Sequence, residues 1–136
     1  MRTARQGFTF DTGMLIALER RSQRALQIRR EARLAGTPVT VPSAILGEWW
    51  RGRSDVRDAI LGSVVVEPLS ETVAKLAGLA CAKLKDIEAK LTIDAYVMAS
   101  AALRGDIVFT ADVGDLVKLQ AFFPSVRVLS VSSGLR

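Results

Sequence analysis

Short apolar runs alternate along this chain with longer stretches whose apolar residues recur at helical spacing. Phe8-Thr9-Phe10 reads as a first strand, ended by Asp11-Thr12-Gly13, with a helix opening over Met14–Leu18. Ser22 is placed to cap a second helix from Gln23 to about Leu34, with Ala25, Ile28, Ala32 and Ala35 on its apolar face and Gly36 as its stop. Pro38–Pro42 is a β-branched run bounded by prolines and predicts a second strand. Ser43 follows as an N-cap, and Glu48 lies in the helix behind it with Trp49 and Trp50. Asp55–Leu61 predicts a further helix. Val64-Val65-Val66 is the clearest buried strand, and Ser70 opens a helix running toward Leu84. The polar stretch Lys85–Lys90 predicts a turn or a helix end. Thr92 is placed to cap a helix from Ile93 to Leu103, with Val97 and Ala101 on its buried face and Gly105 closing it. Ile107–Thr110 is another buried strand, Leu116–Phe122 a short helix broken by Pro124, and Val126–Val131 a last strand. This alternation predicts an α/β sandwich of three layers with a central, mainly parallel sheet. It forms a single domain over residues 1–136, of which 1–6 are expected to be a flexible extension.

Composition narrows the chemistry. The chain has no histidine, which removes the Ser-His-Asp triad, histidine general bases and histidine metal sites. Its single cysteine, Cys81, cannot form an internal disulfide or a zinc cluster, and its apolar helical surroundings predict a buried small hydrophobe. That cysteine usage makes a cytoplasmic protein the expectation, and no apolar run approaches a membrane span, so no membrane association is expected. Nineteen basic residues against 14 acidic ones give a net charge of +5, a surplus that favours nucleic acid as a partner. Carboxylates, hydroxyls, lysine and arginine are left to carry any reaction.

The carboxylates occupy telling places. Active groups in an open parallel sheet collect outside the carboxyl ends of its strands. Asp11 ends the first strand, Asp112 ends the Ile107–Thr110 strand, and Asp115 follows within one turn. Asp94 opens one of the most apolar helices, where the free N–H groups and the helix dipole would favour its charge. Glu48 sits between Ile45-Leu46-Gly47 and two tryptophans. Carboxylates brought within about 4 Å repel by roughly 4 kcal/mol per pair at an effective dielectric of 20, so a cluster of them needs a cation or protons. Hard Mg²⁺ or Mn²⁺ takes oxygen ligands and can act on a phosphodiester without histidine. Singly, each acid also has a structural reading: Asp11, Asp112 and Asp115 as turn or cap residues, Asp94 as a first-turn dipole residue, Glu48 as an exposed helix edge. The tryptophans read first as packing, and the arginines of residues 20–33 first as a solvated face. No single acid points to a reaction; their joint arrangement does.

Four blocks resemble the PIN-domain family, and within it the VapC-type toxins. They are Phe8–Glu19 with its strand-ending aspartate, Pro42–Gly52 with its glutamate, Thr92–Ala101 with an aspartate opening an alanine-rich helix, and Asp106–Leu116 with its Thr-x-Asp-x-x-Asp run. The resemblance implies a PIN-like fold and a Mg²⁺- or Mn²⁺-dependent endoribonuclease acting on transfer, ribosomal or messenger RNA. It implies catalytic roles for Asp11, Glu48, Asp94 and Asp112. Asp11 and Asp94 would be the main metal ligands, Glu48 and Asp112 would complete the cluster, and Asp115 would support it or hold a second metal. Thr12 and Thr110 would hold carboxylates or metal-bound waters. It also implies a VapB-type antitoxin partner and a homodimer. Arg20 and Arg51 are candidate RNA contacts outside the pocket. Three other readings stay open: a non-catalytic PIN-fold module binding RNA or protein, a phospho-receiver domain, and a DNA flap nuclease. The receiver has little support, because Asp11 stands without an acidic neighbour and Glu67-Pro68 is a poor phosphoacceptor site.

Overall fold

A computed structural model describes residues 6–84 and 89–131. Strands β1 (Phe8–Phe10), β2 (Val39–Pro42), β3 (Val65–Glu67), β4 (Ile107–Thr110) and β5 (Arg127–Ser130) form one sheet in the order β3-β2-β1-β4-β5. Every pairing is parallel. Such strands need crossover helices, and those helices cover both faces of the sheet. Helices α1 (Thr12–Glu19), α2 (Gln23–Ala35), α3 (Leu46–Trp49) and α4 (Asp55–Gly62) carry the chain from β1 through β2 to β3. Helices α5 (Glu71–Ala82), α6 (Ala89–Arg104) and α7 (Val113–Gln120) carry it back across β1 to β4 and β5. The order of connection reverses between β1 and β4, the point where an open α/β sheet leaves a crevice for a ligand.

The expected caps form in α2 and α5. The Ser22 hydroxyl accepts from Ala25 N and that of Ser70 from Val73 N. Gly36 ends α2 in the left-handed conformation at φ 70°, where glycine carries no Cβ penalty. Ala25, Ile28 and Ala32 face the core as the spacing predicts, whereas Ala35 is exposed. Cys81 is buried. Residues 1–5 and the Lys85–Glu88 part of the expected turn lie outside the described residues. Gln6, assigned to the flexible extension, is tied down by its side-chain amide, which donates to Gly105 O at 3.1 Å.

Several expectations need correction. The valine triplet is not a buried strand: β3 is a sheet edge with a single neighbour, and Val65 is 62% exposed. An apolar triplet reads alike at the edge and the centre of a sheet. Ser43 begins a short 3₁₀ turn, Ser43–Ile45, and does not cap it; its hydroxyl accepts from Leu69 N instead. Trp50 lies beyond the end of α3. Thr92 is inside α6, which begins three residues earlier at Ala89, so Asp94 stands in the second turn and not at the helix opening. The dipole account of Asp94 therefore falls, since that effect fades within the first turn. α7 begins at Val113 and stops at Gln120, earlier at both ends than its apolar run. The strand order also departs from the 2-1-3-4-5 arrangement of receiver folds, which removes that reading.

One half-buried polar network has no counterpart in the sequence pattern. Arg104, at the end of α6, donates to Glu67 Oε2 at 2.5 Å, Asp106 Oδ2 at 2.9 Å, Ser100 Oγ at 2.6 Å and Thr9 Oγ1 at 2.7 Å. It ties β3, β1 and the entry to β4 onto one helix. Burial pushes the Glu67 carboxyl up, but the Ser100 hydroxyl and the Arg104 guanidinium outweigh it and hold the group below its usual 4.5. The stabilisation is thus present above pH 4.5 and lost as pH falls through the lower folded value. Arg104→Met leaves Asp106 buried without its cation. A loss of about 2 kcal/mol is expected in urea unfolding at neutral pH, less than for a fully buried pair because Arg104 retains some solvent contact.

Candidate active site at the carboxyl ends of β1 and β4

The strand ends place the acids. Asp11 follows β1 and caps α1, its Oδ1 accepting from Met14 N at 3.0 Å. Its own N–H donates to Phe109 O at 3.3 Å, tying the end of β1 to β4. Asp112 follows β4 by two residues and caps α7, its Oδ1 accepting from Gly114 N at 3.0 Å. The Thr110 hydroxyl accepts from Asp112 N at 3.0 Å and shapes that turn. Asp115 lies in the first turn of α7, with Lys118 Nζ 3.7 Å from its carboxylate. Glu48 projects from α3, where the Thr12 hydroxyl donates to its Oε1 at 2.6 Å. Asp94 comes from α6, which packs with α5 and α7, whereas α1 packs with α2, α3 and α4.

These residues meet. Asp11, Thr12, Glu48, Asp94, Thr110, Asp112 and Asp115 line one cleft of about 190 Å³, floored by Ile45 and Val97. Five carboxylates from four segments thus share one hollow at the reversal point of the sheet. Gly13 makes the close approach possible, since a Cβ there would lie 2.9 Å from both the backbone N and the Cβ of Ala111. Gly13→Ala should push the Thr110–Asp112 turn away from α1, lowering stability by about 1–3 kcal/mol and widening the cleft. Thermal unfolding would read the first effect, and divalent-ion affinity the second.

Asp11 has the distinctive electrostatics. Burial pushes its carboxyl up from 3.8 to about 6, and the charge of Glu48 adds to that. The Thr110 hydroxyl and the N–H groups of Met14 and Gly13 oppose the shift without cancelling it. A buried carboxylate raised in this way is relieved by a cation. The donor set is all oxygen, without histidine or thiolate, and suits a hard ion such as Mg²⁺ or Mn²⁺. Among the described residues, no three acids converge closely enough to hold one ion by themselves.

Arg20 and Arg51 do not enter this cleft. They line an adjoining groove with Glu19, Glu48, Trp49 and Arg57. The Arg51 guanidinium curls back on its own turn and donates to Trp50 O at 2.8 Å. Trp49 is buried, its indole N–H donating to Glu19 Oε1 at 3.0 Å, and Trp50 is half-buried, so packing is the role of the first. Glu19 also pairs with Arg57 at 3.0 Å. This Glu19 hub joins α1, α3 and α4 and so buttresses the segment that bears Glu48. Nothing in the local spacing marks Glu19 for that role, although it ends the first of the four family-like blocks.

The fold and site define an α/β domain with an acidic cleft at its strand ends. The PIN-domain model matches residues 8–119, most of the chain, and the chain belongs to the PIN-domain family. PIN domains are generally nucleases and usually use divalent metals, which supports a nuclease role. Among solved structures, DNA-bound VapBC from Salmonella typhimurium is 18% identical with a TM-score of 0.70, covering 93% of this chain and 99% of that one. VapBC2 from Rickettsia felis, bound to a promoter DNA fragment, is 11% identical with a TM-score of 0.71, covering 90% and 97%. FitAcB from Neisseria gonorrhoeae is 18% identical with a TM-score of 0.57, covering 93% and 99%. These likenesses are of fold. No curated protein sequence matches the chain. Among the described residues, no helix is long and apolar enough to cross a membrane.

Proposed function

We propose that this chain is a Mg²⁺- or Mn²⁺-dependent endoribonuclease and the toxin of a VapBC-type toxin–antitoxin pair. The observation that carries the reading is the gathering of Asp11, Glu48, Asp94, Asp112 and Asp115 in one cleft of a PIN fold that has no histidine. Asp11 and Asp94 would hold the ion from different elements, with Glu48, Asp112 and Asp115 around it. When bound, such an ion supplies charge stabilisation at a phosphodiester and lowers the pKa of a water. The chain's own residues then do the positioning. The cap bond from Met14 N fixes Asp11. Thr12 holds Glu48 at the rim, where its carboxylate can accept a proton from an attacking water. Thr110 steadies the turn bearing Asp112.

An antitoxin of VapB type as partner, and a homodimer, are part of the proposal. Support comes from toxin–antitoxin complexes in which a chain of this fold is covered almost end to end by the match. A second reading, a non-catalytic PIN module that binds RNA or protein, is favoured by one observation: no three described acids converge on a point. Induced expression in a bacterial host separates the two. The proposal expects growth arrest and discrete new RNA 5′ ends, both abolished by Asp94→Asn and relieved by co-expressed antitoxin. Unimpaired growth and an unchanged RNA end profile, with soluble protein present, would leave the binding module.

A further inference from the structure

The acidic cleft poses an electrostatic problem for the substrate proposed above. Five carboxylates repel a phosphate backbone, so the attraction for RNA must come from another part of the surface. We propose that a basic track leads from the rim of the cleft round the α1–α2 turn and along α2, and that its arginines bind the phosphate backbone of the RNA strand beyond the cut. The choice of RNA as occupant rests on the ribonuclease reading; the track itself rests on a chain of adjoining hollows and on arginines that make no ion pair among the described residues.

Shared residues link the track at two of its joints, and neighbouring residues in the α1–α2 turn link it at the third. Glu48 lines both the cleft and the adjoining groove of about 380 Å³ that holds Arg20 and Arg51. Arg21, the next residue after Arg20, lines a second hollow together with Arg29. Arg29 also lines a third, together with Arg33.

Among the described residues, four arginines on this route are in no ion pair, although Glu19, Glu48 and Asp55 line the same hollows. Among the described residues, Arg53, Arg57, Arg104, Lys75 and Lys118 each pair with a carboxylate. Arg20, Arg21, Arg29 and Arg33 make no such pair within that set. Glu31, the acid of α2, is bonded to Gln27, and Asp55 lines the second hollow without closing on either arginine. The Arg29 guanidinium is held below its ordinary value by burial and then by the charges of Arg33 and Arg21. A solvated helix face would normally intersperse acids at i,i+4 spacing, which offsets such repulsion. Arginine, with its planar fork, matches phosphate better than lysine does, and α2 contains no lysine.

Arg21 adds an independent sign. Its φ is +60°, and it is the one non-glycine residue among those described with a positive φ. Glycine or asparagine would hold that turn with less strain. An arginine kept in a left-handed turn points to a use for its side chain.

The test is binding of a fluorescein-labelled, single-stranded RNA oligonucleotide of mixed sequence, followed by anisotropy in chelator so that nothing is cut. Wild type is compared with Arg21→Gly and with the double variant Arg29→Gln/Arg33→Gln over a range of salt. The track predicts affinity about tenfold lower in the double variant and a salt slope smaller by roughly 0.7 for each phosphate no longer neutralised. Arg21→Gly should also bind RNA more weakly while its melting temperature holds or rises, because the strained turn relaxes; a merely structural arginine would not show that combination. Equal affinity and equal salt slope in all three proteins would overturn the proposal. Arginine-dependent binding of a poly-glutamate peptide with no RNA binding would overturn RNA as the occupant. Arginine-dependent RNA binding by a chain that cuts no RNA with any divalent ion would uphold the track while removing the ribonuclease reading.

Discussion

Asp94→Asn lowers the second-order rate of RNA cleavage at least about a thousandfold, equivalent to roughly 4 kcal/mol of transition-state stabilisation. Asparagine keeps the shape of the side chain and removes its charge. Asp94 stands in the second turn of α6, where the free N–H groups of the helix start no longer reach it. The helix start therefore does not account for an acid at this position. It is the acid that α6 brings to the cleft, so no other carboxylate can replace it from that helix. The fold should be undisturbed, with circular dichroism and urea midpoint close to wild type. Initial rates at sub-saturating RNA, with Mn²⁺ in excess, check the prediction. A variant that cuts within a few-fold of wild type would remove Asp94 from the chemistry.

Asp11→Asn is expected to do two opposite things. It abolishes cleavage to a similar degree, and in chelator it makes the protein more stable at neutral pH. The sign follows from the shift of Asp11 from 3.8 to about 6. A carboxyl whose folded pKa is raised favours the fold at low pH, where it is protonated, and this advantage is lost as pH rises through about 6. Above that pH the buried charge costs up to about 3 kcal/mol, which asparagine avoids. Asparagine also keeps the helix cap, since its carbonyl can accept from Met14 N as Asp11 does. Urea unfolding in chelator should show a gain of about 2 kcal/mol at pH 7.5 that shrinks toward pH 4. Excess Mn²⁺ should reverse the order by stabilising the wild type alone. A variant less stable than wild type in chelator at pH 7.5 would show that burial does not strain this carboxylate.

Much of the site is legible in the sequence because strand ends are marked by composition. Phe8-Thr9-Phe10 and Ile107–Thr110 are apolar runs with an acid just beyond them, and a parallel sheet brings such ends together. Asp11 and Asp112 can be placed at the same end of the sheet on that ground, whereas the neighbouring of β1 and β4 comes from the structure. Asp94 is legible through its apolar surroundings and not through its helix start. Thr92, a hydroxyl before an apolar run, resembles a cap, whereas α6 begins at Ala89. The edge position of β3 is not legible, because burial of a valine depends on strand order, which is a property of the whole chain. The Arg104 network and the Glu19 hub escape for a related reason. Their partners lie far apart in sequence, Thr9 with Arg104 and Glu19 with Trp49, and no local spacing marks them. The close approach at Gly13 likewise depends on Ala111, which belongs to a distant segment.

Cutting of RNA at the acidic cleft with the help of a divalent ion is tested most directly on an end-labelled pool of transfer and ribosomal RNA. The purified chain is incubated with that pool in chelator and with Mn²⁺ or Mg²⁺ titrated in. Discrete cuts that appear only with the ion and saturate with its concentration are the predicted result. Cuts of equal strength in chelator, or intact RNA at every ion concentration, would contradict it.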